Sequence, residues 1–149
     1  MHKQFYELQA LLNYVRQTTG GDFKAIYEVG STTTALAARI KQMLGLDVQN
    51  FKLTLDSYGV RHAFEGHSQE RGSQDRHPLT EADVLALPRW ALEPEAIKPG
   101  NDKPAPNQLT RLQFEQSDAQ QQVKTVVILE VRPRYGRLVM VTMYKTKNG

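Results

Sequence analysis

The chain has 149 residues, a length that fits one domain with one hydrophobic core. Apolar residues make up 40% of it and charged residues 23%, which is ordinary globular usage and excludes a disordered or fibrous protein. Cysteine is absent, so disulfides and thiolate zinc sites are excluded, and no apolar run is long enough to cross a membrane. We expect a single soluble domain over residues 1–149.

Positive charge is concentrated in the last third of the chain. The net charge is +3, and residues 100–149 contain eight Lys and Arg against four Asp and Glu. A local excess of this kind is what a phosphate-binding face needs, because affinity for polyanions depends on neutralising phosphates. An ordinary solvated surface explains the charge equally well.

The N-terminal part predicts two helices around one strand. The first helix ends at Gly20-Gly21, and its apolar residues recur at three- and four-residue spacing: Phe5, Leu8, Leu11, Leu12 and Val15. A strand is expected over Phe23–Val29. The second helix ends at Gly45, and one of its faces carries Leu36, Ala37, Ile40, Met43 and Leu44.

The central part predicts two further helices separated by a polar loop. The third helix begins at Asp56-Ser57, which supply a polar cap, and it ends at Gly66. Ser68–His77 has no apolar residue and is typical of an exposed loop. The fourth helix starts at Pro78-Leu79-Thr80, with Pro88 and Pro94 around its end. The segment Lys98–Pro106 contains three prolines and a glycine, so we expect a stiff connection between the helical part and the strands that follow.

In the C-terminal part the apolar residues recur with a period of two, as in a β-strand. We expect three successive strands, Leu109–Glu115, Val123–Arg132 and Arg137–Thr146, joined by short turns. They predict an antiparallel meander. Helices followed by such a meander indicate an α+β fold in which N-terminal helices pack on a C-terminal antiparallel sheet.

His62 and His67 are the most informative pair for chemistry. They lie five residues apart, so on a helix their rings point about 140° away from each other, which is poor geometry for joint metal binding. The spacing also differs from the HExxH and HxxEH zinc motifs. We therefore predict no metal site and no cofactor.

Histidine is nevertheless suited to proton transfer near neutral pH. One imidazole can accept a proton from a ribose 2′-hydroxyl while a second donates one to the leaving 5′-oxygen, and a nearby cation can stabilise the charge that develops. Arg61, Arg71 and Lys145 are available for that purpose. The alternatives remain open: His62 as a core histidine, and His67 as a C-terminal helix cap.

The last predicted strand carries a second set of candidates. Strict alternation places Met140, Thr142 and Tyr144 on one face and Lys145 on the other, with Val139, Val141 and Met143. A hydroxyl can hydrogen-bond a base or a phosphate, and a tyrosine ring can stack on an unpaired base. Threonine and tyrosine are also common in strands for structural reasons alone.

The order and spacing of five short motifs resemble a known nuclease group. The motifs are Arg61-His62-x4-His67, Glu70-Arg71-Gly72-x-Gln74, Pro78-Leu79-Thr80-x2-Asp83, Leu87-Pro88 and Thr142-Met143-Tyr144-Lys145. Together they resemble the phage-associated barnase/EndoU/colicin/RelE-like (BECR) nuclease domains found in MuF-type phage proteins and polymorphic toxins. The resemblance covers residues 23–147.

This resemblance implies an RNA-cleaving toxin domain that uses no metal and forms a 2′,3′-cyclic phosphate. It implies catalytic roles for His62, His67, Arg71, Thr142 and Tyr144, and substrate contacts for Arg61 and Lys145. Its expected partners are an RNA substrate and an acidic immunity protein, with no membrane. Its expected place of action is the cytoplasm of a target or host bacterium, reached as part of a phage or secreted protein.

A second hypothesis belongs to a different class. The chain would be a non-catalytic module of a phage packaging or head protein that binds nucleic acid or another protein. Binding alone would explain the basic C-terminal third. Toxicity inside a bacterium and cyclic-phosphate products would distinguish the nuclease from the module.

Overall fold

The structure is a computed structural model, and it describes residues 2–18, 24–67, 76–101, 108–120 and 122–147. These residues form eight strands: β1 (His2–Phe5), β2 (Lys24–Ser31), β3 (Lys52–Asp56), β4 (Arg76–His77), β5 (Ala96–Pro99), β6 (Arg111–Ser117), β7 (Val123–Arg132) and β8 (Arg137–Lys147). They also form four helices: α1 (Leu8–Gln17), α2 (Thr34–Leu44), α3 (Ser57–His67) and α4 (Glu81–Ala86). Short 3₁₀ turns occupy Leu87–Arg89 and Pro133–Tyr135.

All eight strands belong to one mixed sheet. Its order is β1-β2-β3-β8-β7-β6-β5, and the short β4 pairs with the end of β8. The meander β5-β6-β7-β8 is antiparallel, but β1 pairs with β2, and β3 with β8, in parallel. The α+β class is confirmed. The expectation of a purely antiparallel C-terminal sheet is wrong, because three N-terminal strands extend the same sheet.

Most predicted elements are present within a few residues of their expected bounds. Gly45 caps α2 in the left-handed conformation at φ 72°, and Thr80 with Asp83 forms a reciprocal capping box at the start of α4. Phe5 belongs to β1 and not to the first helix. Gly66 does not end the third helix, which continues to His67. The polar stretch Ser68–His77 ends in β4, and residues 68–75 of it lie outside the described part.

The hydrophobic core lies between the helices and one face of the sheet. Buried side chains of all four helices share one cluster with alternating strand residues. Leu11, Leu36, Val60 and Val84 represent the helices in this cluster. The strand residues that alternate with the core positions line the opposite face, which we call the second face.

A β-bulge at Val141 changes the phase of alternation in β8. Ile128 pairs with Thr142 and Leu129 pairs with Met140, so Val141 has no partner residue in β7. Met140 and Met143 therefore both join the core, whereas Thr142 and Tyr144 follow the second face. The expectation that Met140 shares a face with Thr142 is wrong, because the inserted residue interrupts strict alternation.

In the described part of the chain, none of the helices combines the length and the apolar character needed to cross a lipid bilayer.

Candidate functional site

Helix α3 lies beside the middle of strand β8. Strand β3 pairs with β8 only as far as Met140, and β4 pairs with it from Lys145 onward. Between these two positions α3 runs alongside β8, to which it makes its most extensive contact. The side chains of α3 are therefore brought next to Thr142 and Tyr144.

The start of α3 is held by a local cap and by a close backbone approach. Asp56, the last residue of β3, accepts a hydrogen bond from the Gly59 amide at 2.7 Å, as an N-cap residue does. Gly59 lies so close to β8 that an added Cβ would overlap the carbonyl oxygen of Met140. Glycine at this position lets the helix pack directly against the strand backbone.

A groove of about 340 Å³ opens where α3 meets the second face. We call it the central groove. Its lining residues come from β2, β3, α3 and the strands of the meander: Lys24, Asp56, Tyr58, Gly59, His62, Arg111, Arg132, Met140, Val141 and Thr142. His62 is exposed, and it shares this groove with Thr142. Two candidates that are distant in sequence thus meet at one surface.

The hydroxyl of Thr142 has no hydrogen-bond partner in the described part of the chain, although its oxygen is buried. A buried hydroxyl without a partner costs about 1–3 kcal/mol. Such a cost is commonly found where a polar group is kept for a ligand. Thr142 therefore keeps an unused donor and acceptor buried beside the groove that this residue lines.

Two guanidinium groups lie in the central groove around one carboxylate. The Nε atom of Arg132 donates to Glu130 at 2.9 Å, and a terminal nitrogen of Arg111 lies 3.7 Å from the other oxygen of Glu130. The remaining nitrogens of Arg132, and Nε of Arg111, have no partner among the described residues. Glu130 orients both cations and leaves the terminal donors of Arg132 free to hold an anion.

Sequence reasoning did not select Arg111, Arg132 or Lys24. Their membership of one groove depends on cross-strand register, which pairs Arg111 with Glu130 and Arg132 with Arg137. The available signal was the alternation of Glu130 and Arg132 within the predicted strand Val123–Arg132, which puts both on one face.

The lining of the central groove is contributed by separate segments, so no single short motif contains it. Comparisons of the chain with protein-family models, with curated proteins and with solved structures find no match. Its function is therefore inferred from the geometry and chemistry of its own residues.

His67, the last residue of α3, lies next to Tyr144. Their ring centroids are 5.4 Å apart and the rings are tilted by 43°. The backbone carbonyl of His67 accepts a hydrogen bond from Leu79 at 2.9 Å, which joins the end of α3 to the segment before α4. The second candidate histidine thus lies against the second candidate on the strand, and neither residue lines the central groove.

Three other predicted residues do not join this site or cannot be assigned to it. Arg61 donates to the hydroxyl of Thr18 at 2.7 Å and lines a separate groove between α1 and α3. Lys145 lies on the helix side of β8, where its ammonium is 3.0 Å from Asp83. Arg71 lies outside the described residues.

Glu115, at the far end of the second face, forms ion pairs with Lys98 and Lys124. Burial by itself raises the pKa of Glu115, but hydrogen bonds from Gln113, Lys98 and Lys124 and the charge of Lys124 outweigh it. The pKa of Glu115 therefore lies below its ordinary value. This carboxylate is ionised and neutralised by neighbouring lysines, so it does not cancel the positive charge of the central groove.

No three His, Asp or Glu side chains of the described ranges lie close enough together to hold a metal ion. The chemistry that the central groove can perform with its own residues is proton transfer at imidazole and binding of an anion by guanidinium and hydroxyl groups.

Proposed function

We propose that this protein is a metal-independent endoribonuclease whose active site is the central groove. The observation that carries the proposal is that His62 and Thr142 line one open groove together with Arg111 and Arg132. An exposed imidazole, an unpartnered hydroxyl and two guanidinium groups are the side chains that cleavage of a phosphodiester by an internal nucleophile requires.

The proposed reaction begins at the ribose 2′-hydroxyl. His62 accepts the proton of this hydroxyl while its oxygen attacks the adjacent phosphorus atom. The bond from phosphorus to the 5′-oxygen breaks, and that oxygen takes a proton from an acid. The products are a 2′,3′-cyclic phosphate and a free 5′-hydroxyl, so atoms and charge balance without a further reactant.

We assign the acid to His67, which lies outside the lining of the central groove and whose ring contacts Tyr144, two residues beyond Thr142 on the same strand. Imidazole is the side chain best suited to donate a proton near neutral pH. The tilted contact with Tyr144 supports this role because it fixes the ring beside the strand that carries Thr142.

Arg132 and Arg111 are proposed to hold the phosphate. Negative charge increases on the phosphorane oxygens in the transition state, and preoriented donors stabilise it most when they need no rearrangement. The ion pairs with Glu130 supply that orientation. Thr142 is proposed to donate its free hydroxyl to one of the same oxygens.

The likeness to BECR nuclease domains is part of this proposal. It is supported by helices that pack on one side of an antiparallel meander, and by a groove that includes residues of the last strand. A toxin of this kind would act on RNA in a bacterial cytoplasm. Its inhibitor would be an acidic protein, because the central groove is rich in cations.

The proposal is tested by incubating the purified protein with total RNA in the presence of EDTA. We expect fragments that end in 2′,3′-cyclic phosphate, and we expect His62→Ala to reduce the rate by about 10² to 10⁴. His77→Ala is the matched control, because His77 belongs to β4 and does not line the central groove.

Cleavage by His62→Ala at the rate of the parent protein would refute the proposal. RNA binding without cleavage by the parent protein would instead favour a non-catalytic nucleic-acid-binding module. Inducible expression in a bacterium gives a second measurement: growth should stop with the parent protein and continue with His62→Ala.

A further inference from the structure

A second groove continues from the central groove toward the turn between β7 and β8. It encloses about 280 Å³. Lys24, Asp56 and Arg132 line both grooves, so the two grooves are neighbours on the second face. We call this continuation the turn groove.

Tyr135 lines the turn groove from the 3₁₀ turn that joins β7 to β8. The turn is closed by Gly136 in the left-handed conformation at φ 63°, so the tyrosine is held between two paired strand ends. Tyr135 is 68% exposed. A tyrosine that borders a groove and is largely exposed offers a ring face on which a planar ligand can stack.

Arginines line the turn groove and contact the ring of Tyr135. Arg132 and Arg137 line the same groove, and the guanidinium carbon of Arg134 lies 5.9 Å from the centroid of the Tyr135 ring. Arg137 is fixed by Thr54 and by Glu28, each at 2.8 Å, and this uses only part of its five-donor capacity. Asp56 is the acidic residue that lines the turn groove. One of its carboxylate oxygens accepts a hydrogen bond from the Gly59 amide, and the other lies 3.4 Å from the ammonium of Lys24.

An aromatic surface beside several cations matches the chemistry of single-stranded nucleic acid. Stacking on the ring needs an unpaired base, and the cations need the phosphate that follows it. A duplex does not offer an unpaired base to such a surface. The turn groove also adjoins the central groove at Arg132, so one strand that crosses this arginine can extend from one groove to the other.

We propose that the turn groove is a subsite for one nucleotide of single-stranded nucleic acid, with its base stacked on Tyr135 and its phosphate held by Arg137 and Arg134. The choice of ligand rests on the proposed function. The subsite adds affinity at a distance from the scissile bond, because Tyr135 does not line the central groove that contains His62.

The test uses a short fluorescein-labelled RNA whose 2′-positions carry methyl groups, since this ligand can bind but cannot be cleaved by 2′-attack. Fluorescence anisotropy gives its Kd for the full chain. Tyr135→Ala should weaken binding by roughly 5- to 150-fold, the range that loss of one stacking contact produces. Tyr135→Phe should bind like the parent protein, because it keeps the ring.

Three controls separate stacking from loss of charge or of folding. Tyr6→Ala removes an 83% exposed tyrosine that does not line the turn groove, and it should leave the Kd unchanged. Labelled heparin, a polyanion without bases, should bind Tyr135→Ala as tightly as the parent protein. Circular dichroism should show the same melting temperature for both tyrosine-to-alanine variants and the parent protein.

Unchanged oligonucleotide affinity in Tyr135→Ala would overturn the subsite, as would an equal loss for heparin. Failure of the proposed function is a different result: the parent protein would bind the methylated RNA with the expected dependence on Tyr135 but would leave ordinary RNA intact. The two ideas therefore fail separately. A DNA oligonucleotide of the same sequence should show the same dependence on Tyr135, because stacking does not require a 2′-oxygen.

Discussion

Gly59 of α3 lies directly against the backbone carbonyl of Met140 in β8. This contact decides how near His62, three residues further along the helix, comes to Thr142, two residues further along the strand. A side chain at position 59 would push the helix away from the strand. The atom that it would overlap is a backbone oxygen of β8, which cannot move aside as the end of a flexible side chain can.

Gly59→Ala is expected to lower the free energy of unfolding by about 1–3 kcal/mol, the usual cost of overpacking. Urea denaturation followed by circular dichroism measures this change. Gly66→Ala in the same helix is the matched control: no atom lies within 4 Å of an added Cβ there. It should be neutral or stabilising by about 0.5–1 kcal/mol, because alanine is the better helix former. Equal effects of the two substitutions would contradict the close packing.

Thr142→Val should separate activity from stability. The substitution removes the unpartnered hydroxyl and keeps the branched shape of the side chain, so the free energy of unfolding should stay the same or increase by up to about 1 kcal/mol. The rate of RNA cleavage should fall about tenfold, the worth of one hydrogen bond in the transition state. Thr142→Ser keeps the hydroxyl and should retain the rate. A Thr142→Val protein that cleaves at the full rate would remove this residue from the mechanism.

Lys145 is expected to stabilise the fold and not to bind substrate. Its ammonium lies 3.0 Å from Asp83, whose carboxylate also caps α4, and both side chains are largely shielded from solvent. Lys145→Met should reduce the free energy of unfolding by about 1 kcal/mol or less, and a double-mutant cycle with Asp83→Asn should give a coupling of similar size. The KM for RNA should not change. An increased KM with unchanged stability would show that Lys145 contacts the substrate.

The depressed pKa of Glu115 predicts a stability change in acid. A carboxyl group whose pKa is lower in the folded state stabilises the fold above its unfolded pKa of about 4.3, and this contribution is lost as the pH falls through the folded value. Melting temperatures measured from neutral pH downward should decrease below about pH 4.3. In Glu115→Gln this part of the decrease should be absent, and the neutral-pH stability should be lower because Lys98 and Lys124 lose their partner. An identical pH profile for both proteins would show that Glu115 is not the source.

Several elements could be predicted from the sequence because their signals are local. The bounds of β7 coincide with the predicted strand Val123–Arg132, since its alternation and flanking turns are contained within the segment. The same holds for the end of α2 at Gly45 and for the start of α4 at Thr80. Propensity and capping act over a few residues, so the order of residues is enough to find them.

Strands β1, β3, β4 and β5 were not predicted. Each has at most five residues, which is too short for a clear periodicity, and their assignment depends on pairing partners far away in the chain. The bulge at Val141 could not be predicted from the sequence, for a related reason. An inserted residue is visible only when the opposite strand supplies the register against which it is counted.

For the candidate site, the sequence by itself determined the kinds of side chain: imidazole on a helix, hydroxyl and aromatic residues on the last strand, and an excess of positive charge. Only the tertiary structure decided which of them meet. It brought His62 to Thr142 and His67 to Tyr144, added Arg111 and Arg132, and directed Lys145 and Arg61 elsewhere. The physical reason is that side-chain chemistry belongs to each residue alone, whereas proximity depends on strand register and on the close packing of α3 against β8.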